Sequence, residues 1–418
     1  SVALELRRSA LAAGQSAAFQ HDLALANPLL WDLDTPRLYR AVVAVRAGAV
    51  TLDDETVPFG IRTATFDAAT GFSLNGRNFK LYGVCLHQDA SAFGVAVPLA
   101  VWEQRLTALR SLGVNAIRTA HNPPDPGFLD LCDRMGFLVM DELFDCWTVA
   151  KNPHDYHLFF DEWSKIDVRD TVRRDRNHPS VVLWSSGNEI HDTPKEELAK
   201  SILAGLVAVF HENDPMRPVT QALFRPNVSH DYTNGLADLL DVVGTNYRDN
   251  ELLAAQRAKP TRKIIGTEQG HTSQTWLALR DNPQHSGQFL WAGIDYLGES
   301  RAWPNVAAGA DLLDRTGSVK PMALERASWW SPRPVVYAVR RTAPAQRIGA
   351  DPGFAPLTAR QMQFADWTPH DSAPHDETVE VYSNCDEVEL FLNGKSIGSL
   401  PINRDASPRV WKVAYAPG

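Results

Sequence analysis

Along residues 1–62, apolar and polar positions alternate or cluster in short runs separated by turn residues. VALELRR, AAFQHDLAL, LYRAVVAVRA and VTLDDETVPF each read as a strand. The stretch FDAATGFSLNGRNFKLYG adds a hairpin signal at Asn75-Gly76. From about residue 79 the rhythm changes: a short apolar run is followed by helical spacing, and the pair repeats. FKLYGVCLH precedes LAVWEQRLTALRSLG, AIRTAH precedes PGFLDLCDRMG, FLVMDELF precedes SKIDVRDTVRRDRN, and VVLWSSGNE precedes KEELAKSILAGLVAVFHEND. PVTQALF, DVVGTNY with ELLAAQRAK, KIIGTEQG with a short helix, and GQFLWAGIDYLG with PMALERASWW continue the series. Roughly eight such units over about 250 residues have the size and alternation of a (β/α)8 barrel. Residues 331–365, rich in Pro and Ala, read as a linker. Strands resume in ETVEVYSN, DEVELFLNGK and VWKVAYA, with a turn at Asn393-Gly394.

The expected architecture is therefore multidomain: a central (β/α)8 TIM barrel at 63–335, flanked by β-sandwich domains. A partial sandwich is expected at 1–62, a linker at 336–375, and the start of a C-terminal sandwich at 376–418. Both ends fall within strand-like sequence, as if cut from a longer protein. No signal segment is legible in the chain as given, which leaves a cytoplasmic or a periplasmic or secreted location open.

Composition narrows the function. The 418 residues are 44% apolar and 22% charged, with a net charge of −9. No basic stripe is present, so nucleic acid is not an expected partner. No apolar run reaches the ~20 residues of a membrane span. Cys85, Cys132, Cys146 and Cys385 form no CxxC pair and read as free thiols. Twelve Trp in an acidic protein fit the flat faces of sugars, although core packing accounts for many Trp in any protein. Homo-oligomerisation is compatible with all of this.

In such a barrel the C-terminal strand ends face the active site. The predicted strands leave His87, Gln88 and Asp89; Arg118, His121 and Asn122; Asp141, Glu142 and Asp145; Asn188 and Glu189; Asn246 and Tyr247; Glu268 and His271; and Trp291 and Asp295. Charges at partly buried strand mouths need partners or a purpose. Glu189 and Glu268 end strands that lie across the mouth from one another, and paired carboxylates of this kind suit glycosidic bond cleavage. The competing reading of Glu189 is an acid that stabilises the next helix N-terminus. His87 and His121 could be core histidines or substrate ligands. Trp291 could be core or a sugar platform. Tyr247 could close the barrel or tune Glu268, and Arg118 reads as a partner for a buried carboxylate. No metal site is expected: HExxH is absent, although the acidic mouth could admit an accessory Mg²⁺ or Na⁺. GxGxxG, GxxxxGK[ST] and GxSxG are absent too, so no cofactor is required and an α/β-hydrolase is excluded.

FGIRTATFD, FKLYGVCLHQD, NAIRTAHNPP, FLDLCDRMGFLVMDELFDCW, RDRNHPSVVLWSSGNE, GTEQG and GQFLWAGIDYLGES together resemble glycoside hydrolase family 2, the β-galactosidase, β-glucuronidase and β-mannosidase group. NPLLWDLDTPRLY resembles part of the family's immunoglobulin-like domain, and VYSNCDEVELFLNGKSIG its following β-sandwich. The resemblance implies a retaining exo-β-glycosidase acting on a carbohydrate, with Glu189 as acid/base and Glu268 as nucleophile. It puts His87, His121, Asn188, Tyr247, His271 and Trp291 in the substrate site, with Asp89, Asn122 and Asp145 near it. VAVPLAVWEQRL and YLGES are most similar to the β-galactosidase branch, and no counterpart of the glucuronidase Asn-x-Lys motif is found near 300–325. β-Glucuronidase and β-mannosidase are the alternatives within the family. From another class, the alternative is an inactive carbohydrate-binding scaffold, which would have little reason to keep both acids.

Overall fold

The computed structural model describes residues 3–300, 302–304, 306–307, 311–341, 363–364, 367 and 373–416. The first strands, β1 (Tyr39–Ala47) and β2 (Val50–Phe59), form an antiparallel hairpin that is exposed along nearly its whole length. Of the stretches expected as strands ahead of them, the described part of VALELRR and all of AAFQHDLAL take no strand conformation. Alternation makes a strand only where a neighbour supplies hydrogen bonds, and among the described residues β1 and β2 pair only with each other.

A small antiparallel sheet follows, of β3 (Ala64–Asp67), β4 (Gly71–Leu74) and β5 (Arg77–Asn78), with the expected turn at Asn75-Gly76. It plugs the lower end of the barrel. Phe66, Phe72 and Leu74 share one buried cluster with Leu81, Leu138, Val182, Ile265 and Phe289.

The barrel strands are β6 (Leu81–Leu86), β7 (Ala116–Thr119), β8 (Leu138–Glu142), β9 (Val181–Asn188), β10 (Val219–Leu223), β11 (Val243–Asn246), β12 (Ile264–Gln269) and β13 (His285–Leu290). They close in the order β10-β11-β12-β13-β6-β7-β8-β9, all parallel. Both faces are covered, which is why VVLWSS reads as an unbroken run rather than an alternation. Helices α1 (Leu99–Ser111), α2 (Pro126–Met135), α3 (Phe160–Asp175), α4 (Glu196–Asn213), α5 (Asp249–Ala258), α6 (Ser273–Arg280) and α7 (Pro321–Trp330) surround them.

Local chemistry sets the helix limits. At α2 the Asp125 carboxylate accepts from the Gly127 amide, Pro126 fills the first position, and Gly136 ends the helix at φ 73°. A Cβ on Gly136 would come within 2.3 Å of the Leu33 carbonyl, so only glycine fits there. The sequence expected as one last strand to residue 298 stops at Leu290 instead, and the chain leaves the barrel at Trp291.

Beyond the barrel, β14 (Val336–Arg341), β15 (Gln363–Phe364), β16 (His375–Ser383), β17 (Glu387–Leu392), β18 (Lys395–Pro401) and β19 (Arg409–Tyr415) form two sheets, β15-β14-β16-β19 and β17-β18. Val379, Val381 and Trp411 of the first pack against Val388, Leu390, Ile397 and Leu400 of the second, as in a sandwich. The stretch expected as a linker thus begins with a strand, β14, paired along its length with β16. Its residues 342–362 lie outside the described residues.

Candidate active site

Side chains at the C-terminal ends of the barrel strands are joined in one polar network centred on Arg118. Arg118 is fully buried on β7, between Cys85 of β6 and Met140 of β8 in register. Its Nε and Nη2 donate to the two oxygens of Glu142 at 3.0 and 2.8 Å. Nη1 donates to Glu268 Oε2 at 2.8 Å, and Nη2 also reaches Asn188 Oδ1 at 2.8 Å. One guanidinium therefore spans β8, β9 and β12. A buried charge needs this many partners, since removing one costs about 3–5 kcal/mol. The reading of Arg118 as a partner for buried carboxylate holds, and here it has two.

Glu142 is the residue whose role the sequence leaves hidden. Burial would raise its carboxyl, but the Arg118 guanidinium, His121 and Ser185 outweigh that and hold it below the usual range. His121 Nδ1 lies 2.7 Å from Glu142 Oε1 and Ser185 Oγ donates to Oε2 at 2.7 Å. Neighbouring Asp141 faces the other way. Burial raises its carboxyl well above normal, and Asp175 of α3 adds to the rise. Strand alternation sends one acid to the site and the next one to the helices.

The two principal acids meet different surroundings. Glu268, at the end of β12, accepts from Arg118 and also from the Tyr247 hydroxyl, at 2.5 Å on Oε1. Glu189, just past β9, accepts from Asn246 Nδ2 at 3.1 Å. Burial raises the Glu189 carboxyl, and the negative charge of Glu268 raises it further. Asn246 pairs with Glu268 in the β11–β12 register and also donates to Asn188 Oδ1. With that oxygen taken twice, Asn188 Nδ2 is assigned as donor to Asp145 Oδ1 (3.0 Å) and to His121 Nε2 (3.3 Å). His121 then carries its proton on Nδ1, toward Glu142. Lys151, in the loop after β8, donates to Asp145 Oδ1 at 2.7 Å and to the Asn188 carbonyl at 3.0 Å.

Glu189 and Tyr247 take left-handed backbone conformations, at φ 43° and 57°. Each costs a non-glycine residue roughly 1–2 kcal/mol, which neighbouring hydrogen bonds must offset. Here the Glu189 N–H donates to the Ala222 carbonyl and the Tyr247 N–H to that of Glu268.

A flat wall stands beside the acids. The Trp291 indole is parallel to the His121 ring at 5.2 Å, with His87 edge-on to both. Burial, and then the nearby His121, lower the His87 imidazole to about 4, so it is neutral at neutral pH. Trp291 Nε1 donates to the Tyr296 hydroxyl, which hydrogen-bonds Glu299.

His87, His121, Asp145, Asn188, Glu189, Tyr247, Glu268 and Trp291 are thus brought together. Three expected residues spend their side chains on other partners. His271 leaves the barrel axis after Gly270 and stacks on Trp329 of α7, where Glu325 and Arg326 engage its two ring nitrogens. Asp89 spends its carboxylate on the Ser91 and Leu297 amides, tying the loop after β6 to the loop after β13. Asn122 is exposed and donates to the Pro123 carbonyl. Among the described residues, the group spaced for a metal ion is Asp130, Asp133 and His178, at the opposite end of the barrel from these acids.

Residues 68–292 match the family description "Glycosyl hydrolases family 2, TIM barrel domain". Residues 4–62 match "Glycosyl hydrolases family 2", and 376–418 match a domain of unknown function (DUF4982). The chain is 33% identical, over 97% of its length, to the β-galactosidase BoGH2A of Bacteroides ovatus, of which it spans 54%. It is 24% identical, over 98% of its length, to a β-glucuronidase of Bacteroides fragilis, of which it spans 60%. A crystal structure of a glycosyl hydrolase family 2 member from Bacteroides cellulosilyticus superimposes with a TM-score of 0.86 at 34% identity, covering 95% of this chain and 53% of that one. The chain therefore spans about half the length of these relatives.

Proposed function

Because the chain belongs to glycosyl hydrolase family 2, we propose that it is a retaining exo-β-glycosidase with Glu189 as acid/base and Glu268 as nucleophile. The observation that carries this is the contrast between the two carboxylates. Glu268 accepts from a guanidinium and a phenol, which suits an ionised nucleophile. Glu189 has a raised proton affinity beside that negative charge, which suits a proton donor.

In the first step Glu189 gives its proton to the glycosidic oxygen as the C1–O bond breaks, and a Glu268 oxygen bonds to C1. The aglycone leaves as a neutral alcohol. In the second step the Glu189 carboxylate takes a proton from water while the water oxygen attacks C1. The C1–Glu268 bond breaks and Glu268 departs as carboxylate. Two inversions retain the anomeric configuration. Arg118 and Tyr247 favour Glu268 as the leaving carboxylate in that second step. Asn188, its carbonyl oxygen pinned by two donors, can exchange an amide hydrogen from Asp145 to a sugar hydroxyl. The Trp291–His121–His87 wall suits the C–H face of a pyranose.

The glycone favoured is a neutral sugar, galactose first. Asp145, Glu299 and Asp89 lie close enough to act electrostatically on the His87 ring, while Arg118 and Lys151 are committed to carboxylates. A uronate carboxylate placed beside His87 would meet those acids, and the two cations of the network, Arg118 and Lys151, already serve carboxylates. A panel of nitrophenyl β-glycosides tests this. The galactoside is expected to exceed the glucuronide in kcat/KM by about 100-fold, the size of effect that an unpaired buried charge produces. The reverse order would overturn the choice of sugar.

Lys151 lowers the proton affinity of Glu189 through its positive charge. Lys151→Met is therefore expected to move the basic limb of the kcat/KM profile to higher pH, because the acid holds its proton longer. Lys151→Arg should keep the limb near its original position. A basic limb that stays put in Lys151→Met would remove Lys151 from the tuning of the acid.

A further inference from the structure

Two acids beside the sugar wall, Asp295 and Asp311, take no part in the catalytic steps. The chain after β13 carries Trp291 of the wall, and successive amides tie its backbone down. The Trp291 N–H donates to the Gln269 carbonyl at 2.9 Å, one residue from Glu268, and the Gly293 N–H to that of Cys85 on β6 at 3.0 Å. Between them, the Ala292 N–H donates to a side chain, Asp311 Oδ1, at 2.8 Å. Asp311 is buried, and its other oxygen, Oδ2, meets no donor among the described residues. The Asp311 and Asp295 carboxyls are in hydrogen-bonding contact with each other. Two carboxyls make such a bond only with a proton between them. Burial, and then the Asp295 charge, push the Asp311 carboxyl up to about 7. Burial also raises Asp295, against the pull of Lys320, whose Nζ donates to Asp295 Oδ1. The Asp295 N–H donates to the Leu313 carbonyl at 2.9 Å, which laces the two segments together.

We propose that Asp311 is a positioning residue for the sugar: held against Asp295, it anchors the Ala292 amide and so fixes the Trp291 indole parallel to the His121 ring. The proposal rests on the reading of the Trp291–His121–His87 wall as the sugar platform. Neither acid bonds to Glu189 or Glu268, so the anchor acts on how the sugar is held and leaves the bond-breaking groups alone. The charged and titratable groups that face the pair are Lys320, Asp314 and Tyr296. Tyr296 is also the group that accepts from the Trp291 indole. With one proton shared, the pair carries a single negative charge opposite Lys320. As pH rises that proton leaves, and two carboxylates then face one cation with Asp314 adding to the repulsion. They separate, and the anchor on Ala292 shifts with them. Asparagine at position 311 has no such proton to lose. Its Oδ1 can accept from Ala292 while its Nδ2 donates to Asp295.

The test measures KM and kcat from about pH 5.5 to about pH 8.5, for the wild type and Asp311→Asn, on the nitrophenyl glycoside that the panel selects. The quantity read is the wild-type KM divided by the variant KM, which cancels the titrations of Glu189 and Glu268 common to both. That ratio is expected near one at the acid end and about fivefold higher at the alkaline end, with the kcat ratio within about twofold throughout. A KM ratio that stays flat overturns the proposal, because a merely structural aspartate would give that result. Asp311→Ala, which removes both contacts, is expected to raise KM about tenfold at every pH with kcat within about threefold. A folded Asp311→Ala with unchanged KM overturns the proposal too, and if that variant does not fold the KM ratio decides alone. If the wild-type chain turns over no glycoside, the catalytic reading fails and the proposal falls with it. Turnover with a flat KM ratio removes the anchor alone.

Discussion

Glu268→Gln is expected to lose at least about 10⁴-fold in kcat on an activated nitrophenyl glycoside, the scale reached when a catalytic nucleophile is removed. Glutamine keeps the volume of the side chain and can still accept from Tyr247, so the site should keep its shape. What it lacks is a charged oxygen able to bond to C1. Arg118 retains both oxygens of Glu142 and the Asn188 carbonyl oxygen, which limits the structural cost of the change. Turnover numbers measured beside thermal unfolding separate the two effects: a folded variant without activity is the expected outcome. Activity within tenfold of wild type would mean that Glu268 is not the nucleophile.

Glu189→Ala should divide substrates by leaving group. A nitrophenolate departs with little proton assistance, so kcat/KM for it is expected to fall modestly. A sugar alcohol needs the proton, and its kcat/KM should fall by about 10³- to 10⁴-fold. Loss of the base also slows attack by water. The glycosyl-enzyme then accumulates, and kcat and KM fall together on the activated substrate. Azide fits the space vacated by the carboxylate and needs no general base. Added azide should therefore restore kcat on the nitrophenyl substrate and yield the β-glycosyl azide. Uniform losses across leaving groups, with no azide effect, would assign proton transfer to another residue.

Much of this was legible in the chain because a barrel repeats one pattern: a short apolar run, a polar residue at its end, then a helix. That repetition put Glu189 and Glu268 at strand mouths and made Arg118 readable as a carboxylate partner. What escaped lies beyond the strands or acts through another residue. His271 is two residues past the end of β12, where the local turn rather than the barrel sets direction, and it goes to α7. Asp89 and Asn122 stand in loops whose backbone demands consume their side chains. Glu142 was visible at its strand end, but its importance depends on Arg118 from β7, a contact between separate strands. Alternation could have separated it from Asp141, since only one of two neighbours can face the axis. At the N-terminus, ALELRR and AAFQHDLAL carry strand-like patterns, but a pattern does not supply the neighbour that a strand needs.

The most direct measurement is covalent trapping with a 2-deoxy-2-fluoro glycoside that carries a good leaving group. Fluorine at C2 slows both steps, and the activated leaving group lets the first proceed, so the glycosyl-enzyme persists long enough for peptide mapping by mass spectrometry. One glycosyl group per chain, attached to Glu268, is the result expected. A label on any other residue, or release of the leaving group with no covalent adduct, would contradict the convergence of Glu189 and Glu268 on one anomeric carbon.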